Sequence, residues 1–306
     1  MPKLVECVPN FSEGRRPEVV DEIVHAMLAT TGASNRSPLL LDREMDANHN
    51  RAVITIAGEP DAVLEAAFRG VQTAARLIDL DQHRGEHPRM GATDVVPFVP
   101  VAEVTMDECV ALAHRLGARI ARELDIPVYL YERAATRPER RDLAYIRRGE
   151  YEGLKAEIAT NPDRAPDFGP LRMGKAGATV VGARPFLIAY NVNLRTNDLQ
   201  VAKEIAKVTR EKGGGLPTVK ALGFALEDKG IVQVSMNLTD FNITGMLAAF
   251  RHVKAEADKR GVEVIGSELV GLVPLEALTQ LAQQALMLDG FSSAQIIEEQ
   301  LAANKG

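Results

Sequence analysis

The residues best suited to chemistry in this sequence are concentrated in one polar segment, residues 81–94. This segment contains two histidines, two arginines and three carboxylates, and it lies between an apolar stretch expected to be helical and one expected to be a strand. Catalytic and binding residues concentrate on loops held between rigid elements. The composition therefore predicts either an active-site loop or a salt-bridged corner of the fold.

His87 is the strongest catalytic candidate in this segment, because histidine titrates near neutral pH and can act as a general acid and base. Pro88 disfavours a helical backbone at His87, so His83 and His87 are not expected to share a helical face as metal ligands. A metal site built from Asp81, His83 and His87 remains an alternative. His83 is otherwise predicted to lie at the surface or to cap a helix, and either Glu86 or Asp94 could orient the His87 ring.

Five further polar residues stand at the ends or along the faces of predicted strands, where a ligand could bind. They are Asn10, Arg51, Arg184, Asn191 and Asn193. Turn chemistry explains Asn10 and Arg51 equally well. An unpaired charge at Arg184, at the head of an apolar strand, would be costly, so Arg184 either pairs internally or binds an anionic ligand. Asn191 and Asn193 point to the same face of a strand, and a polar ligand would satisfy two buried amides.

The composition indicates a globular chain with one large domain or two modest ones. The chain has 306 residues, of which 46% are hydrophobic and 25% are charged. Its net charge of −6 argues against a nucleic-acid partner, because such proteins usually carry a basic face. No apolar run is long enough to span a membrane, and the first residues lack the apolar core of a signal peptide. The two cysteines do not have the spacing of zinc ligands, and we expect a cytoplasmic protein.

Both halves of the sequence show the same predicted order of elements: strand, helix, hairpin of two strands, helix and strand. A loop is predicted at residues 31–38, and the second half is predicted to begin with one apolar strand over residues 183–192. The shared order of strand, helix, hairpin, helix and strand is that of the split βαβ, or ferredoxin-like, fold. The sequence therefore predicts an α+β chain with two domains, 1–180 and 181–306. Each would have an antiparallel sheet with helices on one face, and the bare faces would pack together or line a ligand cavity.

Two segments interrupt these predicted elements. Six arginines lie within residues 132–148, which are predicted to form a solvated, frayed helix. Residues 165–177 form a long connection rich in proline and glycine, long enough to be functional or mobile.

Several motifs along nearly the whole chain together resemble glutamate formiminotransferase, the domain that also forms the N-terminal part of formiminotransferase-cyclodeaminase. The motifs are LVECVPNFSEG (4–14), NRAV (50–53), GEHPRMGA (85–92), DIPVYLY (125–131), APDFGP (165–170), GAR (182–184) and LVGLVP (269–274). This family transfers the formimino group of N-formimino-L-glutamate to N5 of tetrahydrofolate, a late step of histidine degradation. The resemblance implies two ferredoxin-like subdomains packed through their sheets around a ligand tunnel, usually in a homodimer.

The resemblance also implies roles for individual residues. The family's catalytic histidine corresponds to His87, and its folate-contacting loop to about residues 169–177. Four residues of that loop are expected to contact the folate: Gly169, Pro170, Lys175 and Gly177. From their positions in the sequence, two arginines are expected to hold the substrate carboxylates and three asparagines to make neutral hydrogen bonds: Arg51, Arg184, Asn10, Asn191 and Asn193. Tetrahydrofolate is then a co-substrate, and no metal is expected because the formimino carbon is already an activated electrophile.

Three other functions remain open from the sequence. A formyltransferase would keep the fold and use His87 with N-formylglutamate or 5-formyl-folate. A metal-dependent hydrolase would remove the formimino group without folate, using Asp81, His83 and His87. A non-catalytic folate-binding protein would keep its folate affinity, and have no turnover to lose, when His87 is replaced.

Overall fold

The computed structural model describes residues 2–29 and 37–303, so most of the loop predicted at residues 31–38 lies outside the described residues. The chain divides into two compact units on either side of the Arg184–Pro185 bond, close to the predicted boundary between residues 180 and 181. Each unit contains one β-sheet with α-helices. The predicted α+β class is therefore confirmed.

The described part of the first unit contains one sheet and five α-helices. Its strands are β1 (Leu4–Cys7), β2 (Asn10–Phe11), β3 (Leu39–Asp46), β4 (Arg51–Gly58), β5 (Thr93–Ala102), β6 (Val128–Glu132) and β7 (Thr179–Ala183). Its helices are α1 (Pro17–Leu28), α2 (Pro60–Leu77), α3 (Met106–Leu124), α4 (Leu143–Ile146) and α5 (Glu150–Glu157).

The first sheet is mixed, which differs from the predicted antiparallel sheet. β4 pairs with β3 on one side and with β1 and β2 on the other, and β1 and β2 in turn pair with β5. β7 then lies parallel between β5 and β6, with long crossover connections that parallel pairing requires. The stretch predicted as one strand over residues 183–192 is divided, because Pro185, which cannot donate to a ladder, separates β7 from the first strand of the second unit.

One face of the first sheet packs against α1, α2 and α3. α1 and α2 each begin with a proline in the first turn, and α3 begins with a capping box. Val5, Cys7 and Ala52 belong to the core between this face and the helices. Successive strand residues point to opposite faces, so Glu6 and Arg51 project from the other face, which we call the far face of the first sheet.

The arginine-rich segment after β6 does not form the solvated, frayed helix that was predicted. Arg140 is buried and donates to the Asp167 carboxylate at 2.7 Å and to the Ala165 carbonyl at 2.5 Å. Arg147 pairs with the buried Asp94. The prediction failed because the guanidiniums of Arg140 and Arg147 each pair with a carboxylate from a distant part of the chain. A run of like charges in the sequence does not reveal such pairs.

The second unit has one antiparallel sheet in the order β11-β8-β10-β9. Its described strands are β8 (Ile188–Leu194), β9 (Val219–Leu226), β10 (Ile231–Leu238) and β11 (Val264–Val270). Its described helices are α6 (Leu199–Thr209), α7 (Met246–Asp258), α8 (Leu275–Leu286) and α9 (Ile297–Ala303).

One face of the second sheet packs against α6 and α7. Tyr190 and Val192 of β8 contribute to this core, so Asn191 and Asn193 lie on the opposite face, which we call the far face of the second sheet. Within the described ranges, no helix combines the length and apolarity needed to cross a membrane.

Candidate active site

His87 lies half-buried in the loop between α2 and β5. Burial, together with the positive charges of Arg51 and Arg147, lowers the pKa of His87 to about 3. Both causes act in the same direction, because desolvation and neighbouring cations disfavour the imidazolium form. The imidazole is therefore neutral at physiological pH, which is the form that can accept a proton.

The start of this loop is held against the turn between β3 and β4. Nδ2 of Asn50 donates to the carbonyl of Arg84 at 2.9 Å. Gly85 approaches the backbone of His49 so closely that a Cβ would lie 2.3 Å from the His49 carbonyl oxygen. The glycine that precedes Glu-His-Pro-Arg is therefore required by a close backbone contact, and this contact positions the chain two residues before His87.

The end of the same loop is anchored to Ser12, directly after β2, and to the segment before β7. The Ser12 hydroxyl donates to the Gly91 carbonyl at 2.8 Å, and the Ser12 N–H donates to the Ala92 carbonyl at 2.9 Å. The Ala92 N–H donates to the Ala176 carbonyl at 2.8 Å. A Cβ on Gly177 would lie 2.7 Å from Cα of Gly91. The loop that contains His87 is thus fixed at both ends by hydrogen bonds and close backbone contacts.

Arg51, the first residue of β4, shares a small cavity with His87. Its guanidinium donates to Oδ1 of Asn10, whose Nδ2 donates to the Val8 carbonyl at 2.8 Å. Burial and the charge of Arg147 lower the pKa of Arg51 to about 10, so Arg51 stays protonated at physiological pH. Its Nε is buried and has no hydrogen-bond partner in the described part of the chain. An anionic ligand would satisfy this buried cation.

Arg147 is a candidate site residue that sequence reasoning missed. It follows α4 directly and pairs with Oδ2 of Asp94, while Oδ1 of Asp94 accepts the Met90 N–H at 2.8 Å. Asp94 therefore engages Arg147 and the backbone rather than the His87 ring. Nε of Arg147 is also buried and unpartnered among the residues that the structure describes. The only signal in the sequence was the density of arginines, which does not distinguish Arg147 from the others.

His83 does not lie at the surface and does not cap a helix, so that prediction was wrong. It is buried, with Nε2 at 2.9 Å from the Asn50 carbonyl oxygen and with Nδ1 accepting from Nε of Arg89 at 3.4 Å. Both contacts fit a neutral ring protonated on Nε2. Asp81 instead accepts from the Tyr151 hydroxyl at 2.8 Å. In residues 2–29 and 37–303, no three histidine, cysteine or carboxylate side chains are arranged to hold a metal ion.

The cavity brings His87 together with groups from β2, β4 and the loop itself. Its lining residues are Phe11, Ser12, His49, Asn50, Arg51, His83, His87, Arg89 and Asp94. A neutral imidazole and a buried guanidinium in one cavity can move a proton on a ligand that is held by its negative charge.

Arg184 directly follows β7 and belongs to a different charged group of the first unit. Its N–H donates to the Phe98 carbonyl at 3.0 Å, and its guanidinium hydrogen-bonds with Tyr131. Burial raises the pKa of Glu6, and the nearby charge of Arg184 partly opposes that rise. Arg184 therefore has partners within the first unit, and it does not line the cavity of His87.

Asn191 and Asn193 lie in the second unit and have partners. Nδ2 of Asn191 donates to Oε1 of Glu268 at 3.1 Å, and Oδ1 of Asn193 accepts from Nε2 of Gln233 at 2.9 Å. Nε2 of Gln233 also donates to Oε1 of Glu268 at 2.8 Å. The two asparagines thus form one hydrogen-bonded cluster with two residues that sequence reasoning did not identify.

The loop predicted to contact folate connects the buried strands of the first unit. Its candidate residues are Gly169, Pro170, Lys175 and Gly177. Gly169 and Gly177 have φ values of 94° and 71°, and a Cβ on Gly169 would lie 2.8 Å from the Ile126 carbonyl oxygen. Lys175 pairs with Asp79 at 3.2 Å. Backbone geometry alone therefore requires both glycines, independently of any ligand.

The fold and the site are compatible with a class of protein, an enzyme with a neutral histidine in a loop beside two half-buried arginines. Comparison with known proteins agrees with this class. Residues 4–184 match the family described as the formiminotransferase domain, N-terminal subdomain, and residues 189–301 match the formiminotransferase domain.

Three similar proteins illustrate the relationship. The chain is 51% identical, over 98% of its length, to the glutamate formimidoyltransferase of Thermoplasma acidophilum and covers 99% of that protein. It is 46% identical, over 98% of its length, to the glutamate formimidoyltransferase of Streptococcus pyogenes and covers 99% of it. It is 47% identical to the formimidoyltransferase-cyclodeaminase of Mus musculus, of which it covers 52%. The chain therefore belongs to the formiminotransferase family.

Proposed function

We propose that this protein transfers the formimino group of N-formimino-L-glutamate to N5 of tetrahydrofolate. The observation that carries this proposal is the neutral His87 in one cavity with Arg51, whose Nε is buried. Both substrates bear carboxylates, and the reaction needs a proton carrier close to a bound anion. The similarity to proteins named glutamate formimidoyltransferase supports the same reaction.

The transfer requires one proton to move between two nitrogen atoms. N5 of the folate attacks the formimino carbon, a new C–N bond forms, and the C=N electron pair moves to the imino nitrogen. His87 takes the proton that N5 loses. The C=N bond then re-forms while the bond to the glutamate nitrogen breaks, and the imidazolium returns its proton to that nitrogen. Acid–base help of this kind contributes about a hundred- to ten-thousand-fold in rate.

A bound carboxylate would raise the pKa of His87 and so make the ring a better proton acceptor. Arg51 and Arg147 lower its pKa in the free protein. An anion placed against these guanidiniums offsets their charge, so the pKa of His87 rises when substrate binds. The imidazolium formed during the first step is then stabilised until the leaving nitrogen takes the proton. The same contacts hold the reacting atoms together.

The subdomain pattern and the ligand tunnel are also part of this proposal. We propose that residues 1–180 and 181–306 correspond to two subdomains built on the split βαβ pattern, with the ligand tunnel that the family resemblance implies. Support comes from the order of elements in the second unit, β8-α6-β9-β10-α7-β11, and from its strand order. In the first unit the elements from β1 to β5 follow a similar order, with β7 added beside β5 and β6 beside β7.

The remaining binding roles are also proposed. Asn10 holds Arg51 in place for a carboxylate, as their hydrogen bond supports. Four further groups are proposed to bind the substrates: Arg184, Asn191, Asn193 and the loop with Gly169, Pro170, Lys175 and Gly177. A homodimer follows from the resemblance alone. A cytoplasmic location and the absence of a nucleic-acid partner follow from the composition and the net charge of −6.

An assay of the purified protein in chelator-treated buffer tests the proposed reaction. It follows 5-formimino-tetrahydrofolate formed from formiminoglutamate, with and without tetrahydrofolate, and we expect turnover only when the folate is present. Turnover of N-formylglutamate instead would favour a formyltransferase. Folate-independent loss of the formimino group that stops with chelator would favour a metal-dependent hydrolase. Folate binding without turnover of either donor would indicate a non-catalytic folate-binding protein.

A further inference from the structure

A hydrogen-bonded cluster on the far face of the second sheet takes no part in the proton transfer described above. We call it the amide cluster, and it consists of Asn191, Asn193, Gln233 and Glu268. These residues belong to β8, β10 and β11, and β8 lies between the other two strands. Asn191 is opposite Glu268 and Asn193 is opposite Gln233 in the strand registers. Directly opposite residues share one face, so the four side chains meet.

The amide cluster combines two buried amides with one exposed carboxylate. Asn191 and Gln233 are each 6% exposed, whereas Glu268 is exposed. Both buried amides donate to the same oxygen, Oε1 of Glu268, at 3.1 and 2.8 Å. Two donors on one oxygen hold the carboxylate in a fixed orientation, and such preorganisation is typical of a binding site.

The cluster keeps unused hydrogen-bonding capacity. Within the described part of the chain, three acceptors receive no hydrogen bond: Oε2 of Glu268, Oδ1 of Asn191 and Oε1 of Gln233. Nδ2 of Asn193 likewise donates to no described residue. The free groups are therefore mainly acceptors with a single donor. They complement a ligand edge that carries neighbouring N–H donors and one acceptor.

An apolar surface adjoins these groups on the same face. Phe224 of β9 is opposite Gln233, and Leu222 is opposite Ser235. Both side chains are solvent-exposed, Phe224 by 40% and Leu222 by 57%. These groups suit a flat ligand ring with polar atoms along one edge. Such a ring can stack on Phe224 while its polar edge hydrogen-bonds with the amide cluster.

We propose that the amide cluster recognises the 2-amino-4-oxo edge of the tetrahydrofolate pterin ring, an inference that rests on the proposed function. That edge presents the 2-amino group and N3–H as adjacent donors and O4 as an acceptor. The free acceptors, Oε2 of Glu268 first among them, receive the two donors, since a carboxylate is the strongest acceptor available. Nδ2 of Asn193 donates to O4, and the ring packs towards Phe224.

The formimino group of the other substrate is a different match for the same groups. In its protonated amidinium form this group also offers neighbouring donors, but it then has no acceptor for Nδ2 of Asn193. It is also too small to cover Phe224. The pterin edge satisfies the donor and the acceptors together, so the cluster is assigned to the folate.

Glu268→Gln tests this assignment with Glu263→Gln as the matched control. Glu263 lies one residue before β11 and is exposed, with its carboxylate 2.7 Å from Nε of Arg195. The affinity for tetrahydrofolate alone is measured by calorimetry, and the KM of each substrate is measured by turnover. We expect Glu268→Gln to weaken folate binding roughly tenfold to a hundredfold, because the pterin donors lose a charged acceptor. The KM for formiminoglutamate should stay within twofold, and the control should match the wild type.

A folate analogue without the 2-amino group sharpens the same test. It should bind the wild type more weakly than tetrahydrofolate, and Glu268→Gln should discriminate between the two ligands far less. If the melting temperature of Glu268→Gln falls sharply, Asn193→Ala replaces it, because that change removes only the donor proposed for O4. Unchanged folate affinity, or a loss confined to formiminoglutamate, would overturn the inference. Absence of turnover in the wild type would count against the proposed function, while the binding ratios would still test the cluster.

Discussion

The far faces of the two sheets carry different polar chemistry. The first presents charged side chains, among them Glu6, Arg51 and Arg184, and the His87 loop lies at one end of it. The second presents amides around a single carboxylate: Asn191, Asn193, Gln233 and Glu268. Buried charges shift the pKa of their neighbours, whereas amides recognise shape and donor pattern without changing a protonation state. The comparison therefore distinguishes the first unit, whose side chains suit the proposed acid–base chemistry, from the second, whose side chains suit the proposed recognition of a neutral ring.

Removal of the proton carrier should have the largest effect and should affect only the first of these two roles. His87→Asn is expected to lower kcat/KM by about a hundred- to ten-thousand-fold, with tetrahydrofolate affinity nearly unchanged. His25→Asn is the matched control, because His25 is exposed in the last turn of α1. It should leave kcat/KM unchanged. Unfolding of His87→Asn would show that His87 has a structural role, and the proposed difference in function between the two far faces would then lose its support.

Arg147→Gln should affect both stability and pH dependence. It leaves Asp94 buried without its partner, which costs about 3–5 kcal/mol of unfolding free energy for a pair of this kind. It also removes one of the charges that lower the pKa of His87, the others near the ring being Arg51 and His49.

The direction of the pH effect follows from the role of His87 as a base. Activity is lost as pH falls through its pKa, and that pKa is about 3 in the free protein, so the acid limb of kcat/KM should lie below pH 5. In Arg147→Gln the pKa rises towards the ordinary value, and the limb should move to higher pH. Arg147→Lys keeps the charge and should keep the wild-type profile. An unmoved limb in Arg147→Gln would show that Arg147 does not influence His87.

Arg51→Gln should weaken substrate binding on the charged face. We expect the KM for formiminoglutamate to rise roughly tenfold to a hundredfold, the value of charge-assisted hydrogen bonds to a carboxylate. Arg43→Gln on the neighbouring strand β3 is the control, because Arg43 pairs with the exposed Asp21. A change in kcat and in the pH profile, without a change in either KM, would mean that Arg51 acts only on the pKa of His87.

Phe224→Ala should have the smallest effect and should be confined to the second unit. Loss of a stacking surface is expected to weaken tetrahydrofolate binding a few-fold, with no change in the KM for formiminoglutamate. Leu222→Ala serves as the control, because it removes a similarly exposed side chain opposite Ser235. Equal effects of both changes would indicate a general apolar contact rather than a stacked ring.

Local signals in the sequence were sufficient for most regular elements. Proline at the start of α1 and α2 and the capping box of α3 mark helix ends through contacts within one turn. The candidate catalytic loop could also be predicted from the sequence, because Gly85, His87 and Pro88 lie within four residues of one another. Motif resemblance then indicated the family, which comparison with known proteins confirmed.

Other features depended on contacts between distant residues. The parallel position of β7 between β5 and β6 results from crossover connections that strand patterns do not specify. Arg140 and Arg147 looked like solvated charges because their partners, Asp167 and Asp94, lie 27 and 53 residues away in the chain.

The amino-acid sequence by itself determined the elements, the loop that carries His87 and the family, since each depends on residue types at short spacing. Only the tertiary structure decided that Arg51 and Arg147 lie near enough to His87 to keep its ring neutral. It also decided that Glu268 completes a cluster with Asn191. The physical reason is that a pKa shift and a hydrogen bond depend on distances in space. These distances are set by how strands and loops pack, and the order of residues along the chain does not reveal them.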